Sequence, residues 1–382
     1  MVLDTLVRNI DDATLIEEVC KSLNNLIGDY DASRCENSWV KSYPILLLVI
    51  AKHIHNVPIC YLALRALYNI TFSIRDLIDS NQGVIGLLDL LKTHSDPSIV
   101  LWTCKVMNSL GLRSGSASWS ALGAEGACEV ILEILHKHHE EAEIAEQGCW
   151  LLHSLAIDDS NAALLGEESN GGCQLLVRIL ELHIFSASVV ERVCCAINNI
   201  SFNNQASSTL LGTLGALKLI ISSLKIHQES PDVSYWCCSA VNNLVCDNKT
   251  NLKIMGNVGG CEAIVEMLKR FLTHCAVAEQ ACVAIQNLSF FAANKKRLLD
   301  YHVIEVLKNA LKVHGSGKED AKHVDEEKRF VSDIGPEILK TLEVFAAESK
   351  KEKNCYVPFT FRDFLNFGYR MLEGGKKKDS KC

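Results

Sequence analysis

Seven times along this chain a short segment returns, an apolar residue, a variable one, Asn or Ser, then Leu or Ile. No other feature constrains the fold as much. The segments are Leu23-Asn24-Asn25-Leu26, Leu67-Tyr68-Asn69-Ile70, Met107-Asn108-Ser109-Leu110, Leu152-His153-Ser154-Leu155, Ile197-Asn198-Asn199-Ile200, Val241-Asn242-Asn243-Leu244 and Ile285-Gln286-Asn287-Leu288. Their third positions fall at 25, 69, 109, 154, 199, 243 and 287, so the gaps are 44, 40, 45, 45, 44 and 44 residues. A period of that length marks stacked supersecondary units, each too small to bury its own apolar face without its neighbours.

A second element repeats in phase. It opens on glycine and continues as an apolar helix at Gly83, Gly126, Gly171, Gly215 and Gly259, and a shorter polar piece such as Asn248–Ile254 precedes it. Each unit therefore reads as a short, a medium and a long helix. Pro58, Pro97 and Pro231 lie 11, 12 and 12 residues before the repeat position. That suits the first turn of the long helix, where a missing N–H is lost at no cost. Asp96 and Ser230 stand where an N-cap belongs. With 48% hydrophobic residues and only six prolines, the chain has the apolar surface for a continuous helical core.

The three-helix unit of about 40–47 residues, the glycine-opened second helix and the L-x-N-L third helix resemble the armadillo repeat family, the β-catenin and importin-α-like helical repeat proteins. The resemblance covers residues 10–314 or so. It implies an all-α, right-handed superhelical solenoid of about seven to eight three-helix repeats. The expected organisation is an array over 1–314, a charged linker inserted at 315–335, a C-terminal cap helix at 336–350, and an aromatic segment with a basic tail over 351–382.

Helical geometry singles out one face. With the repeat position as zero, residues at −4 and −7 point within about 40° of it, while −2 and −5 turn to the core. The resemblance implies that this stripe lines a concave groove in which asparagines grip the main chain of an extended peptide. A side-chain amide, both donor and acceptor, can pair with a peptide bond. Asn25, Asn69, Asn199, Asn243 and Asn287 match the motif, whereas Ser109 and Ser154 leave a gap. The stripe adds Lys21, Arg65 and Lys105 at −4 in the first three units, Trp150 at −4, and Trp102 and Trp236 at −7. Aromatic and Arg side chains anchor interfaces, so residues 60–155 are expected to take an acidic or phosphorylated segment. An importin-type site would want Trp at −4 with Asn at zero in neighbouring units. Only Trp150 stands at −4, and its unit carries Ser154. A nuclear-localisation signal is not the expected ligand.

Phase also accounts for most of the chemistry-bearing residues. Cys104, Cys149, Cys194, Cys238 and Cys282 precede the repeat position by five, and Cys128, Cys173 and Cys261 share one place on the second helix. Both sets read as small core residues rather than ligands. No two of the 17 cysteines form C-x-x-C. His94, His138, His183 and His227 end successive second helices, where a partly positive ring suits the helix C-terminus. The run His136–Glu141 reads as a solvated loop, not a metal site.

The net charge of −8 argues against a nucleic-acid partner. The longest apolar run, Ile45–Ala51, is too short to span a bilayer. No phosphate loop, H-E-x-x-H or G-x-S-x-G occurs. The expectation is a cytoplasmic, non-enzymatic protein-binding scaffold or adaptor without cofactor, metal or small-molecule substrate. A structural component of a ciliary or cytoskeletal assembly, and a chaperone-like or GTPase-regulating protein, stand as alternatives.

Overall fold

The computed structural model describes residues 2–28, 36–74, 81–111, 116–315, 335–344 and 346–347, and none of these lies in a strand. The chain opens with α1 (Val2–Arg8), α2 (Ala13–Gly28), α3 (Glu36–Lys52), α4 (Val57–Ile74), α5 (Asn81–Thr93) and α6 (Pro97–Gly111). Complete three-helix units follow: α7 (Ser116–Ala124), α8 (Ala127–His138) and α9 (Ala142–Leu155), then α10 (Asp159–Gly166), α11 (Gly172–Leu182) and α12 (Ala187–Ser201). Next come α13 (Gln205–Thr213), α14 (Ala216–Ile226) and α15 (Pro231–Val245), and α16 (Lys249–Asn257), α17 (Gly260–Arg270) and α18 (Cys275–Ser289). The series ends with α19 (Ala292–Asp300) and α20 (Val303–Gly315). The long helices α2, α4, α6, α9, α12, α15 and α18 stack each on the next, and α5, α8, α11, α14, α17 and α20 form a parallel layer. This is an all-α solenoid.

Local sequence explains the corners. Gly126, Gly171, Gly215 and Gly259 take φ of 83°, 73°, 96° and 78° between the first and second helices. Only glycine enters that left-handed region freely. At the same corner of the last unit stands His302, with φ 59°. Gly83 differs, because α5 already begins at Asn81. A Cβ at Gly83 would overlap the Tyr43 hydroxyl, so close packing is what requires glycine there. Pro97 and Pro231 open α6 and α15, and Pro58 is the second residue of α4. Asp96 accepts from the Ser98 and Ile99 amides at 2.9 and 3.2 Å, and the Ser230 hydroxyl accepts from the Val233 amide at 3.3 Å.

The cysteines form the core the phase predicts. Cys104, Cys149, Cys194, Cys238 and Cys282 are fully buried, as are Cys128 and Cys173. Burial pushes the thiols of Cys104, Cys128, Cys173 and Cys282 up to about 12. These groups stay protonated at neutral pH.

His138 ends α8, and His94, His183 and His227 directly follow α5, α11 and α14, so the histidines stand at helix ends as expected. Most of them reach back one unit with Nε2–H to a main-chain carbonyl: His53 to Ile10 at 2.6 Å, His183 to His139 at 2.7 Å, His227 to Ile184 at 2.8 Å and His314 to Leu272 at 2.7 Å. His94 does the same to Ile54. Cross-unit hydrogen bonding gives these positions a further use, which His138 does not share, since its buried Nε2 has no hydrogen-bond partner among the described residues. The reading of 136–141 as a loop is corrected. His138 is the last residue of α8, buried, with Nδ1 2.9 Å from Glu141 Oε1.

A second cross-unit lock has no counterpart in the sequence reading. Asn161, Asn251 and Asn294 on the first helices α10, α16 and α19 are buried and lean against Gly123, Gly212 and Gly256 of the unit before, while on α13 Ser207 takes this place against Gly166. Asn251 Nδ2 donates to the Ser208 and Leu244 carbonyls, both at 2.7 Å. A Cβ at Gly212 would occupy the space of the Asn251 amide.

A helix over 335–344 follows α20, with Ile338 and Leu342 buried and Val344 about half exposed. The array forms one compact unit ending at Leu342. Nearly all of the charged insertion, the aromatic segment and the basic tail lie outside the described residues.

Candidate partner-binding face

The long helices present a wider face than the zero, −4 and −7 rows suggest. Positions −1 and −8 lie about 80–100° from zero on the −4 side, so the face spans about 120° of each helix. Tyr61, Tyr68, His153, Asn198 and Tyr235 occupy these added rows and are half-buried. The available signal was a polar −1 row, Asn24, Asn108, Asn198, Asn242 and Gln286 beside Tyr68 and His153, at a phase between the core and the Asn stripe.

In the N-terminal half, α4 and α6 build an aromatic and cationic cluster. Trp102 meets Tyr61 and Tyr68 edge-on, with ring centroids 6.2 and 5.5 Å apart. The Arg65 guanidinium sits 5.6 Å from the Tyr61 ring and 5.7 Å from Trp102, and Lys105 Nζ is 5.0 Å from Trp102. Cations within about 6 Å of an aromatic face are held by the ring quadrupole. Lys105 also reaches Glu143 on α9 at 3.3 Å. Asn69 is half-buried beside this cluster, while Asn25 is exposed on α2.

The middle of the face carries two more tryptophans. Arg192 stacks on Trp150 at 4.0 Å and pairs with Glu191 at 3.3 Å. Trp236 on α15 meets the His153 ring of α9 at 5.7 Å, reaching past α12. Burial holds the His153 pKa below its ordinary value, against the Cys195 carbonyl contact, and the Arg192 charge lowers it further. The ring is therefore neutral at pH 7.

In the C-terminal half the amides pair with one another. Asn199 Nδ2 donates back to the His153 carbonyl at 2.9 Å, and Asn243 Nδ2 donates to the Asn198 carbonyl at 2.8 Å and Oδ1 at 2.9 Å. Asn287 Nδ2 lies 3.5 Å from Asn242 Oδ1, and Asn287 is only 6% exposed. The −1 amides reach forward instead. Asn108 Nδ2 bonds the Gln147 carbonyl at 3.0 Å, and Asn242 Nδ2 bonds the Gln280 carbonyl at 3.2 Å. Ser109, Ser154 and Cys195 are buried, so the stripe breaks at those positions. Asn108 Oδ1 is buried with no hydrogen-bond partner among the described residues.

Among the described residues no group of three or more His, Cys, Asp or Glu side chains is arranged to hold a metal ion. No single described helix is long and apolar enough to cross a membrane.

No family model matches the chain, and no curated protein matches it. Solved structures do. A chain of the cadherin and β-catenin structure that describes a conserved phosphorylation switch aligns with a TM-score of 0.68 at 15% identity, covering 91% of this chain and 69% of that one. The shared feature is the fold. Two engineered proteins of the Northeast Structural Genomics Consortium align with TM-scores of 0.56 and 0.55 at 19% and 20% identity, covering 69% and 68% of this chain and 97% and 98% of theirs.

Proposed function

We propose that this chain is a non-enzymatic scaffold or adaptor that receives an extended segment of a partner protein along the face of its long helices. The observation that carries the reading is the row of half-exposed aromatic and cationic side chains on that face, from Tyr61 and Arg65 through Trp102 and Trp150 to Trp236. Such residues anchor protein interfaces because they combine large contact area with few rotatable bonds. The stacked helices hold them at fixed spacing, so little ordering entropy remains to oppose binding. The neighbour in a cadherin and β-catenin structure belongs to a protein interaction, which supports the same use of this fold.

The test is affinity purification of the full chain from its native cells. The comparison is a Trp150→Ala/Trp236→Ala variant and a control, Lys218→Ala, at an exposed position of α14. Circular dichroism checks that each variant is folded. A partner lost with the double variant and kept with the control supports the reading; a partner kept by the double variant sinks it.

A further inference from the structure

We infer that Arg65 is the specificity-determining residue of this face and that it takes a carboxylate of an acidic segment in a partner protein. The inference rests on the scaffold reading above and sharpens it to one residue and one chemistry.

The cations of the face differ in whether their charge is already answered. Lys21 lies 2.9 Å from Glu17 and 2.8 Å from Glu18, Lys105 lies 3.3 Å from Glu143, and Arg192 lies 3.3 Å from Glu191. Arg65 pairs with no carboxylate among the described residues and lies instead against the rings of Tyr61 and Trp102. A ring attracts the guanidinium charge without satisfying its N–H donors as an oxygen would. Arg65 is thus held in place while its forked donors stay available, and that fork matches a carboxylate two bonds at a time.

The local charge selects the anion. Arg65 and Lys105 bring two positive charges and Glu143 removes one, which leaves a single net positive charge around Trp102. One carboxylate neutralises it, whereas a phosphate dianion would bring excess negative charge close to Glu143. The asparagine half of the face does not compete for this role. The Nδ2 donors of Asn199 and Asn243 are engaged by the preceding unit. Main-chain gripping there would first have to break those bonds.

The experiment is fluorescence anisotropy of the full chain with three short labelled peptides, in which Ser alternates with Glu, with Gln, or with phosphoserine. The Glu peptide is expected to bind about tenfold or more tightly than the Gln peptide, the scale of one charge-assisted hydrogen-bonded pair. Arg65→Ala should abolish that difference, Arg65→Lys should restore only part of it, and Lys218→Ala, off the face, should leave it intact. Equal binding of Glu and Gln peptides, no binding of the Glu peptide, or a preference that survives Arg65→Ala overturns the inference. Phosphoserine binding more tightly than Glu through Arg65 overturns the carboxylate assignment. The scaffold reading fails separately, when the native partner survives Trp150→Ala/Trp236→Ala.

Discussion

The two halves of the long-helix face use the same helical positions for different work. Around α4 and α6, the zero, −4 and −7 rows hold Asn69, Arg65 and Trp102, half-buried, with ring and cation contacts and, among the described residues, one unanswered charge. Around α12, α15 and α18 the zero row holds Asn199, Asn243 and Asn287, and their amides turn back onto the preceding long helix. A motif position is therefore a place on a helix and not a role. What the side chain does there depends on whether the neighbouring unit offers it an acceptor. Around α4 and α6 Arg65 is held by rings alone, whereas the asparagines of α12, α15 and α18 join units.

Both halves rest on one cysteine core, and the largest effect should strike them together. Cys104 lies under the first half and Cys282 under the second, each pushed by burial from an ordinary 9.0 up to about 12. A thiol with a raised folded pKa binds its proton more tightly folded than unfolded. Its stabilising effect is complete below pH 9.0, the unfolded value, and is lost as pH rises through the folded value. Each such thiol should remove up to about 1.4 kcal/mol per pH unit in that window. Urea unfolding followed at neutral and at alkaline pH should show a steep loss that Cys104→Ala/Cys282→Ala partly relieves. A flat profile would place the thiols outside the core.

The next effect separates the halves. Asn199→Ala/Asn243→Ala removes two inter-unit locks and should cost about 2–4 kcal/mol in urea unfolding. The Glu-over-Gln preference at Arg65 should stay unchanged. Loss of that preference with little destabilisation would reverse the roles assigned to the two halves.

A smaller change should extend the C-terminal pattern into the middle. Asn243 and Asn287 each aim Nδ2 at the Oδ1 of the −1 asparagine before them, at 2.9 and 3.5 Å. Ser154 is too short to do so for Asn108, whose buried Oδ1 has no partner among the described residues. Ser154→Asn should therefore stabilise the chain by about 1 kcal/mol. Destabilisation in thermal unfolding would mean the gap at 154 is filled by packing and not by a missing donor.

The smallest effect belongs to a corner outside the face. His302 holds φ 59° where four other units have glycine. His302→Gly should stabilise by at most about 1 kcal/mol, because relief of left-handed strain is partly offset by added freedom in the unfolded chain. A lower Tm would show that the His302 side chain makes a contact worth more than the strain.

Much of the fold was legible because helical phase and corner chemistry are local. The seven-fold period, the prolines at the starts of α4, α6 and α15, the glycine corners and the buried cysteines all follow from residues within one unit. The candidate face was legible in direction only. Tyr61, Tyr68 and His153 escaped because −1 and −8 lie between the rows that phase assigns to core and groove.

The sequence by itself determined a helical array with one apolar side and one polar stripe, since a 3.6-residue turn fixes which side chains share a direction. Tertiary structure alone decided what each polar group reaches. His183 bonding His139, Asn251 bonding Ser208 and Asn243 bonding Asn198 are contacts across 44, 43 and 45 residues. Their geometry depends on how far one unit rotates and shifts against the next, and no residue within a single unit carries that information. The same packing left Arg65 between two rings and, among the described residues, without a counterion, so the feature that distinguishes one end of the repeated stripe from the other arises from packing between units.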